Sequence, residues 1–70
     1  MLFFKKKITV PKGWFVMEAG QSPLHMLWFI NLVNFDDLAN NINDIRQVCV
    51  EDQDSYEIAL AEAISRVNKL

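Results

Sequence analysis

The sequence is poor in the residues that staple small folds together. Of its 70 residues, one is a cysteine, Cys49, and one is a histidine, His25. A single cysteine forms no internal disulfide, and with one histidine it cannot supply a Cys/His site for a structural metal. A chain this short gains little more from burial than it loses in conformational entropy. The sequence therefore predicts no metal or cofactor and favours a partner, either a second copy or another protein, as the stabilising element.

Long apolar runs and targeting signals are also missing. The longest uninterrupted apolar stretch, Met26 to Ile30, is far shorter than the ~20 residues that cross a bilayer. In the segment Met1 to Lys7 the apolar residues precede the lysines, which is the reverse of a secretory signal. A lone cysteine fits a reducing compartment. These features predict a cytoplasmic protein without a membrane segment.

A strong charge of either sign is missing as well. The net charge is −2 and the sequence pI is about 5.1, which argues against a dedicated nucleic-acid binder. The apolar fraction of 51% is typical of a folded chain and not of a disordered one. We therefore expect residues 1–70 to form one small domain.

Two segments near the N-terminus have the pattern of β-strands. In residues 3–10, Ile8 and Val10 alternate with Lys7 and Thr9, and residues 14–19 are rich in β-formers. The intervening Pro11-Lys12-Gly13 is typical of a turn, because proline fixes φ and glycine tolerates a positive φ. This arrangement predicts an N-terminal β-hairpin.

The segment from Leu24 to Val33 has two interpretations. Ser22 and Pro23 precede it, and serine at the N-cap followed by proline is typical of a helix start. We therefore expect a helix, and because eight of its ten residues are apolar they cover every side of it. A strand through Leu24 to Ile30 is the alternative, since periodicity does not distinguish two fully apolar segments.

The second half of the chain carries clearer signals. Asn34-Phe35-Asp36-Asp37 is typical of a helix start and predicts a short helix. Residues 47–51 alternate like a strand, with Val48 and Val50 on one face. Asp54-Ser55-Tyr56-Glu57 is a capping box. The final helix that follows has one apolar stripe, formed by Tyr56, Ala59, Leu60, Ala63, Ile64, Val67 and Leu70.

These elements predict an α+β fold in the order β-β-α-(α)-β-α. Its small three-stranded mixed sheet would contain the N-terminal hairpin plus one strand, with two to three helices on one face. A right-handed crossover would place the second strand parallel to the third. A shift of 33 residues also aligns Ser22 with Ser55 and Leu27 with Leu60. That match suggests either an internal repeat or two unrelated strand–helix units with serine caps.

No group of residues has the pattern of a catalytic or metal site. His25 has no evident acid and nucleophile, and Cys49 lies in an alternating strand, where a free cysteine is usually a small buried hydrophobe. The acidic cluster of Glu51, Asp52 and Asp54 lacks the glycine of a calcium loop. We therefore expect a protein that is not an enzyme, with no catalytic, cofactor-binding or metal-binding residues.

Lysines concentrate around the predicted hairpin. Lys5, Lys6, Lys7 and Lys12 form a positive stripe near Trp14 and are candidate nucleic-acid contacts, because single-strand binders combine basic tracks with aromatic residues. Lysines on an edge strand also discourage unwanted pairing. The low pI favours edge protection.

A helix that is apolar on all sides needs cover on all sides, and so short a chain cannot provide it. The sequence therefore predicts a protein–protein interface at Met26, Trp28, Phe29 and Val33, together with Trp14. Our hypothesis is a homodimeric interaction module that binds and inhibits a target protein, as small phage-like or mobile-element proteins do. The alternative is a small nucleic-acid-associated regulatory protein that uses the lysine-rich hairpin.

Overall fold

A computed structural model of the chain describes residues 9–70, which form a three-stranded sheet and two helices. The sheet has the strand order β1-β2-β3 and is antiparallel throughout. The predicted α+β class is confirmed. In chain order the elements are β1 (Trp14–Gln21), β2 (Trp28–Asn34), α1 (Phe35–Ala39), β3 (Gln47–Gln53) and α2 (Tyr56–Asn68).

The helix predicted from Leu24 to Val33 is wrong, because most of that segment is the central strand β2. Ser22 and Pro23 do start one helical turn, in which the Met26 N–H donates to the Ser22 carbonyl at 2.7 Å. Met26 then adopts a left-handed φ of 59°, which ends the turn. The Ser22 N–H donates to the Leu27 carbonyl at 2.8 Å and closes a hairpin loop between β1 and β2.

The mixed sheet is also wrong. The sequence placed residues 14–19 beside residues 47–51 as parallel neighbours, but β2 lies between those strands and runs antiparallel to both. Antiparallel neighbours need no crossover, and residues 35–46, which include α1, connect β2 to β3. The predicted strand over residues 3–10 falls mainly outside the described residues, and Thr9 and Val10 are not in a strand.

The 33-residue correspondence is not matched by the structure. After β3, Ser55 begins α2, whereas after β1 the equivalent Ser22 lies in the hairpin loop. The two halves of the chain thus have different folds, and the sequence match reflects two serine–helix signals of which only one continues into a helix.

One face of the sheet and α2 form the core. The predicted stripe of α2 is largely confirmed, except that its last member, Leu70, is 74% exposed. Side chains in β2, β3 and α2 are removed from water together, which is the main stabilising contribution in a small domain. These buried residues are Ile30, Leu32, Val48, Val50, Ala59, Leu60, Ala63 and Val67.

The N-terminus of α2 is held by Ser55 and not by a full capping box. The Ser55 hydroxyl oxygen accepts a hydrogen bond from the Ile58 N–H at 3.1 Å, so Ile58 occupies the position at which a box requires a glutamate or glutamine. On the exposed side of the helix, Arg66 donates to Glu62 at 2.9 Å and forms an i,i+4 ion pair.

Replacing Ser55 with alanine should lower the free energy of unfolding by about 1 kcal/mol, because the Ile58 N–H loses its acceptor. Urea denaturation followed by circular dichroism measures this change. Asp54→Ala is the control, and it should have a clearly smaller effect because Asp54 is exposed and is not the cap. Equal losses in the two variants would contradict the assignment.

Helix α1 is a short connection between the sheet and the loop before β3. Asn34 caps it by accepting from the Asp37 N–H at 2.9 Å, as the sequence predicts. Arg46 donates to both carboxylate oxygens of Asp37, at 2.8 and 3.1 Å, and these hydrogen bonds lower the pKa of the Asp37 carboxyl. Within residues 9–70, neither helix has the length and apolar character needed to cross a membrane.

Candidate protein-binding face

The predicted interface residues do not share one surface. Trp14 and Trp28 are half-buried and pack against the core on the α2 side. The Trp28 ring meets the Tyr56 ring edge to face, with centroids 5.8 Å apart. Met26 is exposed in the hairpin loop. Only Phe29 and Val33 lie on the opposite face of the sheet, because side chains alternate along β2.

We call this opposite side of the sheet the outer face. The strand register defines it, since the neighbours of Phe29, Asn31 and Val33 across the ladder must point the same way. Its central part contains a row of three residues, Glu18, Asn31 and Cys49, with apolar groups on either side. Its members are Phe15, Glu18, Gly20, Phe29, Asn31, Val33, Gln47 and Cys49.

An aromatic cluster occupies the α1 end of the outer face. Phe15 pairs with Val33, and its ring packs edge to face against Phe35 with centroids 6.2 Å apart. Val33 is 2% exposed, yet it does not belong to the core beneath α2. Phe35 remains 56% exposed. The outer face therefore has its own small apolar cluster, one edge of which is in contact with solvent.

At the other end of the outer face, Phe29 lies over Gly20. A β-carbon added to Gly20 would be 3.3 Å from the Phe29 ring, which is closer than ordinary side-chain contact. Glycine in a strand often marks such a close approach. The missing side chain of Gly20 thus leaves room for the Phe29 ring beside the neighbouring strand.

Asn31 lies at the centre of the outer face and has an unpaired acceptor. Its Oδ1 atom is buried and has no hydrogen-bond partner among the described residues. An unmade hydrogen bond at a buried polar atom costs about 1–3 kcal/mol. Rotation of the Asn31 side chain towards a polar group of a covering polypeptide would remove that cost, since Oδ1 is not accessible from outside in its present orientation.

The structure corrects the placement of Cys49 and puts it on a different element from His25. Because Val48 and Val50 face the core, Cys49 points to the outer face, where it is exposed and free, not buried as predicted. His25 is exposed in the hairpin loop. Within residues 9–70, no group of three or more histidine, cysteine and acidic residues is arranged to hold a metal ion.

A cavity of about 280 Å³ opens where the hairpin loop meets β3. Pro23, Leu27 and Phe29 supply its apolar wall, and Glu51 and Asp52 supply its acidic rim. Gln21 also lines the cavity, and its side-chain amide donates to the Met26 carbonyl at 3.0 Å, which connects the loop to the end of β1. Sequence reasoning missed this cavity, since the loop and the rim are more than twenty residues apart.

The candidate nucleic-acid contacts are only partly described. Lys5, Lys6 and Lys7 lie outside residues 9–70, and Lys12 is exposed in the loop before β1. Sequence reasoning also missed Phe15 and Gly20 as functional candidates. Pairing β2 with β1 would have revealed both, because they are the cross-strand neighbours of Val33 and Phe29. No protein-family model matches the chain, and no curated protein or solved structure shows significant similarity to it.

Proposed function

We propose that this chain is a protein-binding module that self-associates through the outer face and acts by binding a target protein, without catalysis. The observation that carries the proposal is the buried Oδ1 of Asn31, which has no hydrogen-bond partner within residues 9–70 and lies beside half-buried aromatic rings. Apolar area that also contains one unsatisfied polar atom is typical of a surface that another polypeptide covers.

A second copy of the chain suits this surface because asparagine is self-complementary. Its side chain carries both an acceptor, Oδ1, and a donor, Nδ2. In a two-fold symmetric contact each residue near the axis meets its own copy. Two Asn31 side chains on the axis would therefore satisfy each other, as buried asparagine pairs do in coiled coils.

The face is a better contact than either edge of the described sheet, because both edge strands are irregular. In β1, Met17 is an extra residue between the pairs made by Val16 and Glu18. In β3, Glu51 and Asp52 together oppose one residue of β2. Such bulges interrupt the row of backbone groups that a new strand would need, and they protect edges from pairing.

The apolar area available supports a modest contact. Full burial of a large apolar side chain contributes about 1.5–3 kcal/mol. Phe15 and Phe29 are only half-buried, so a contact that covers them would add part of this free energy. Phe35 and Leu38, 56% and 41% exposed, extend the apolar surface beyond the sheet. Association must also offset the loss of translational and rotational freedom, so we expect a dimer that dissociates on dilution.

A target would meet a surface that offers shape and hydrogen bonds, and the module would act on it by binding alone. The free, exposed thiol of Cys49 fits a reducing compartment such as the cytoplasm, where it would not be oxidised to a disulfide. We include that location and the inhibition of a target among the proposed properties of the module.

The test of self-association is the substitution Asn31→Asp. It keeps the shape of the side chain, but at neutral pH it would place two carboxylates opposite each other on the two-fold axis. We expect sedimentation velocity to show a dimer of the 8.1-kDa wild-type chain and a monomer for the variant. Circular dichroism should show that the variant is still folded.

Asn43→Asp is the matched control, because it makes the same change at an exposed loop position. It should leave the sedimentation of the chain unchanged. A wild-type chain that remains an 8.1-kDa monomer would contradict the proposal. So would an Asn31→Asp variant that stays dimeric, since the contact would then lie elsewhere.

Cys49 provides an independent test of the contact surface, because it is the chain's single cysteine and lies beside Asn31. Sheets that pack face to face are about 10 Å apart. A short bismaleimide should therefore link two chains through Cys49, and Cys49→Ser should abolish the product. A stable dimer that does not cross-link would place the interface away from the outer face.

A further inference from the structure

The cavity between the hairpin loop and β3 has a composition that selects for one kind of ligand. Its apolar wall consists of Pro23, Leu27 and Phe29, and its rim carries the acids Glu51 and Asp52. At about 280 Å³ it is close to the lower end of small-molecule sites, so a single side chain is a better match than a large cofactor.

The charge of the rim is available for a ligand. Glu51 and Asp52 are exposed, and the two ion pairs formed within residues 9–70 are Asp37–Arg46 and Glu62–Arg66. The two rim carboxylates thus have no cationic partner in the described part of the chain. An anionic ligand such as a phosphate would be repelled here.

The bulge in β3 is what brings both acids to the rim. In a regular strand, neighbouring side chains point to opposite faces. Here Glu51 and Asp52 share the position opposite Phe29, and Asp52 has a left-handed φ of 60°. Aspartate and asparagine adopt this conformation more readily than most residues, so the bulge suits the residue that occupies it.

The combination of an apolar wall with a negative rim matches an amphipathic cation. Lysine and arginine side chains have an apolar stem and a charged end. The stem would pack along Pro23 and Leu27, and the cation would reach the rim carboxylates near the aromatic ring of Phe29, which would attract it. A bare metal ion fits less well, because it would need several oxygen ligands in place of an apolar wall.

We infer that this cavity accepts a lysine or arginine side chain of a separate polypeptide, and that it is a specificity pocket for the target. The inference rests on the proposed function, from which it takes that the partner is a protein. It adds the chemistry by which that partner is recognised: a basic residue inserted at the end of the outer face, between the hairpin loop and the bulge of β3.

The experiment is a titration of the ¹⁵N-labelled chain with Nα-acetyl-lysine methylamide, followed by NMR. Nα-acetyl-norleucine methylamide is the comparison ligand, because it has the same apolar stem without the ammonium group. We expect the lysine probe to shift the amide signals of Leu27, Phe29, Glu51 and Asp52, and to bind more weakly as salt is added. Equal binding of the norleucine probe would overturn the assignment of a cation.

The double variant Glu51→Gln/Asp52→Asn removes both rim charges, and asparagine keeps the tolerance for a left-handed φ at position 52. We expect affinity for the lysine probe to fall about threefold to tenfold, the size expected for two exposed ion pairs. The matched control is Asp44→Asn/Glu57→Gln, which removes two exposed acids that do not line the cavity. An equal loss in the control, or no loss in the double variant, would overturn the inference.

Two further readouts keep this inference separate from the proposal of a dimer. The Glu51→Gln/Asp52→Asn variant should sediment like the wild type, because its charges lie away from the Asn31 axis. If the chain proves monomeric and still binds the lysine probe, the proposal of a dimer is contradicted and the inference of a lysine-binding pocket is supported. Replacing Lys5, Lys6 and Lys7 with glutamine tests whether the cation comes from this chain itself. A gain in probe affinity would show that the chain's own lysines occupy the cavity, and it would contradict the inference of a separate polypeptide.

Discussion

Replacing Leu32 with alanine is expected to lower the free energy of unfolding by about 2–5 kcal/mol. Leu32 is fully buried in the central strand, where it lies between Val16 of β1 and Val48 of β3. Truncation removes apolar contacts and leaves a cavity that the two neighbouring strands cannot fill. For a chain of this length the total stability is roughly 4–10 kcal/mol at ~0.05–0.15 kcal/mol per residue, so the variant should be close to unfolding.

Leu24→Ala is the matched control for this prediction. In the helix expected from the sequence, Leu24 and Leu32 would lie about 80° apart around the axis and would be buried to a similar degree. In the structure Leu24 is 80% exposed in the hairpin loop, so its truncation should change stability by no more than about 0.5 kcal/mol. Urea denaturation of the two variants measures the difference, and similar losses would favour the helix over the strand.

Replacing Trp28 with alanine should lower the free energy of unfolding by about 2–3 kcal/mol without removing the self-association. A fully buried tryptophan costs about 3–5 kcal/mol when it is truncated, and Trp28 is half-buried. Part of the loss comes from its edge-to-face contact with Tyr56. The sequence placed Trp28 at an interface, whereas the structure places it against the core.

The comparison variant is Phe15→Ala, which truncates an aromatic ring on the opposite face of the sheet. We expect it to weaken the dimer in sedimentation experiments more than it lowers stability. If Trp28→Ala proves too unstable to assay, Trp28→Phe keeps much of the ring and should remain folded with unchanged association. Loss of the dimer in a folded Trp28→Phe variant would contradict this assignment and would show that Trp28 belongs to the interface.

Elements with local signals could be predicted from the sequence. Strand β3 was found from the alternation of Val48 and Val50, and α2 from Ser55 and its apolar stripe, because a cap and a helical period both lie within a few residues. Asn34 likewise marked the start of α1. The end of α1 at Ala39 was less clear, because the helical spacing of Phe35 and Leu38 continues to Ile42 and Ile45 while the intervening asparagines favour turns.

A strand in the β2 region was only the alternative interpretation, with bounds of Leu24 to Ile30, because the local signals conflict. Ser22 and Pro23 begin a helical turn in either interpretation, and a central strand that is apolar on both faces has the composition of a buried helix. The decisive feature is the left-handed Met26, whose conformation no residue-type preference predicts. The wrong helix assignment also made the predicted interface wrong. Phe29 and Val33 do lie on one face of the sheet, but Trp14, Met26 and Trp28 do not lie on that face.

By itself, the sequence determined that this is a small α+β chain with a capped, amphipathic C-terminal helix, because caps, alternation and helical periodicity are local properties. Only the tertiary structure decided which strands are neighbours, and hence that Asn31 and Cys49 share a row and that Glu51 and Asp52 border a cavity with Phe29. Strand pairing depends on the burial that the whole sheet and α2 achieve together. This burial is the sum of contributions from residues that are far apart in the chain, so it cannot be read from any single segment.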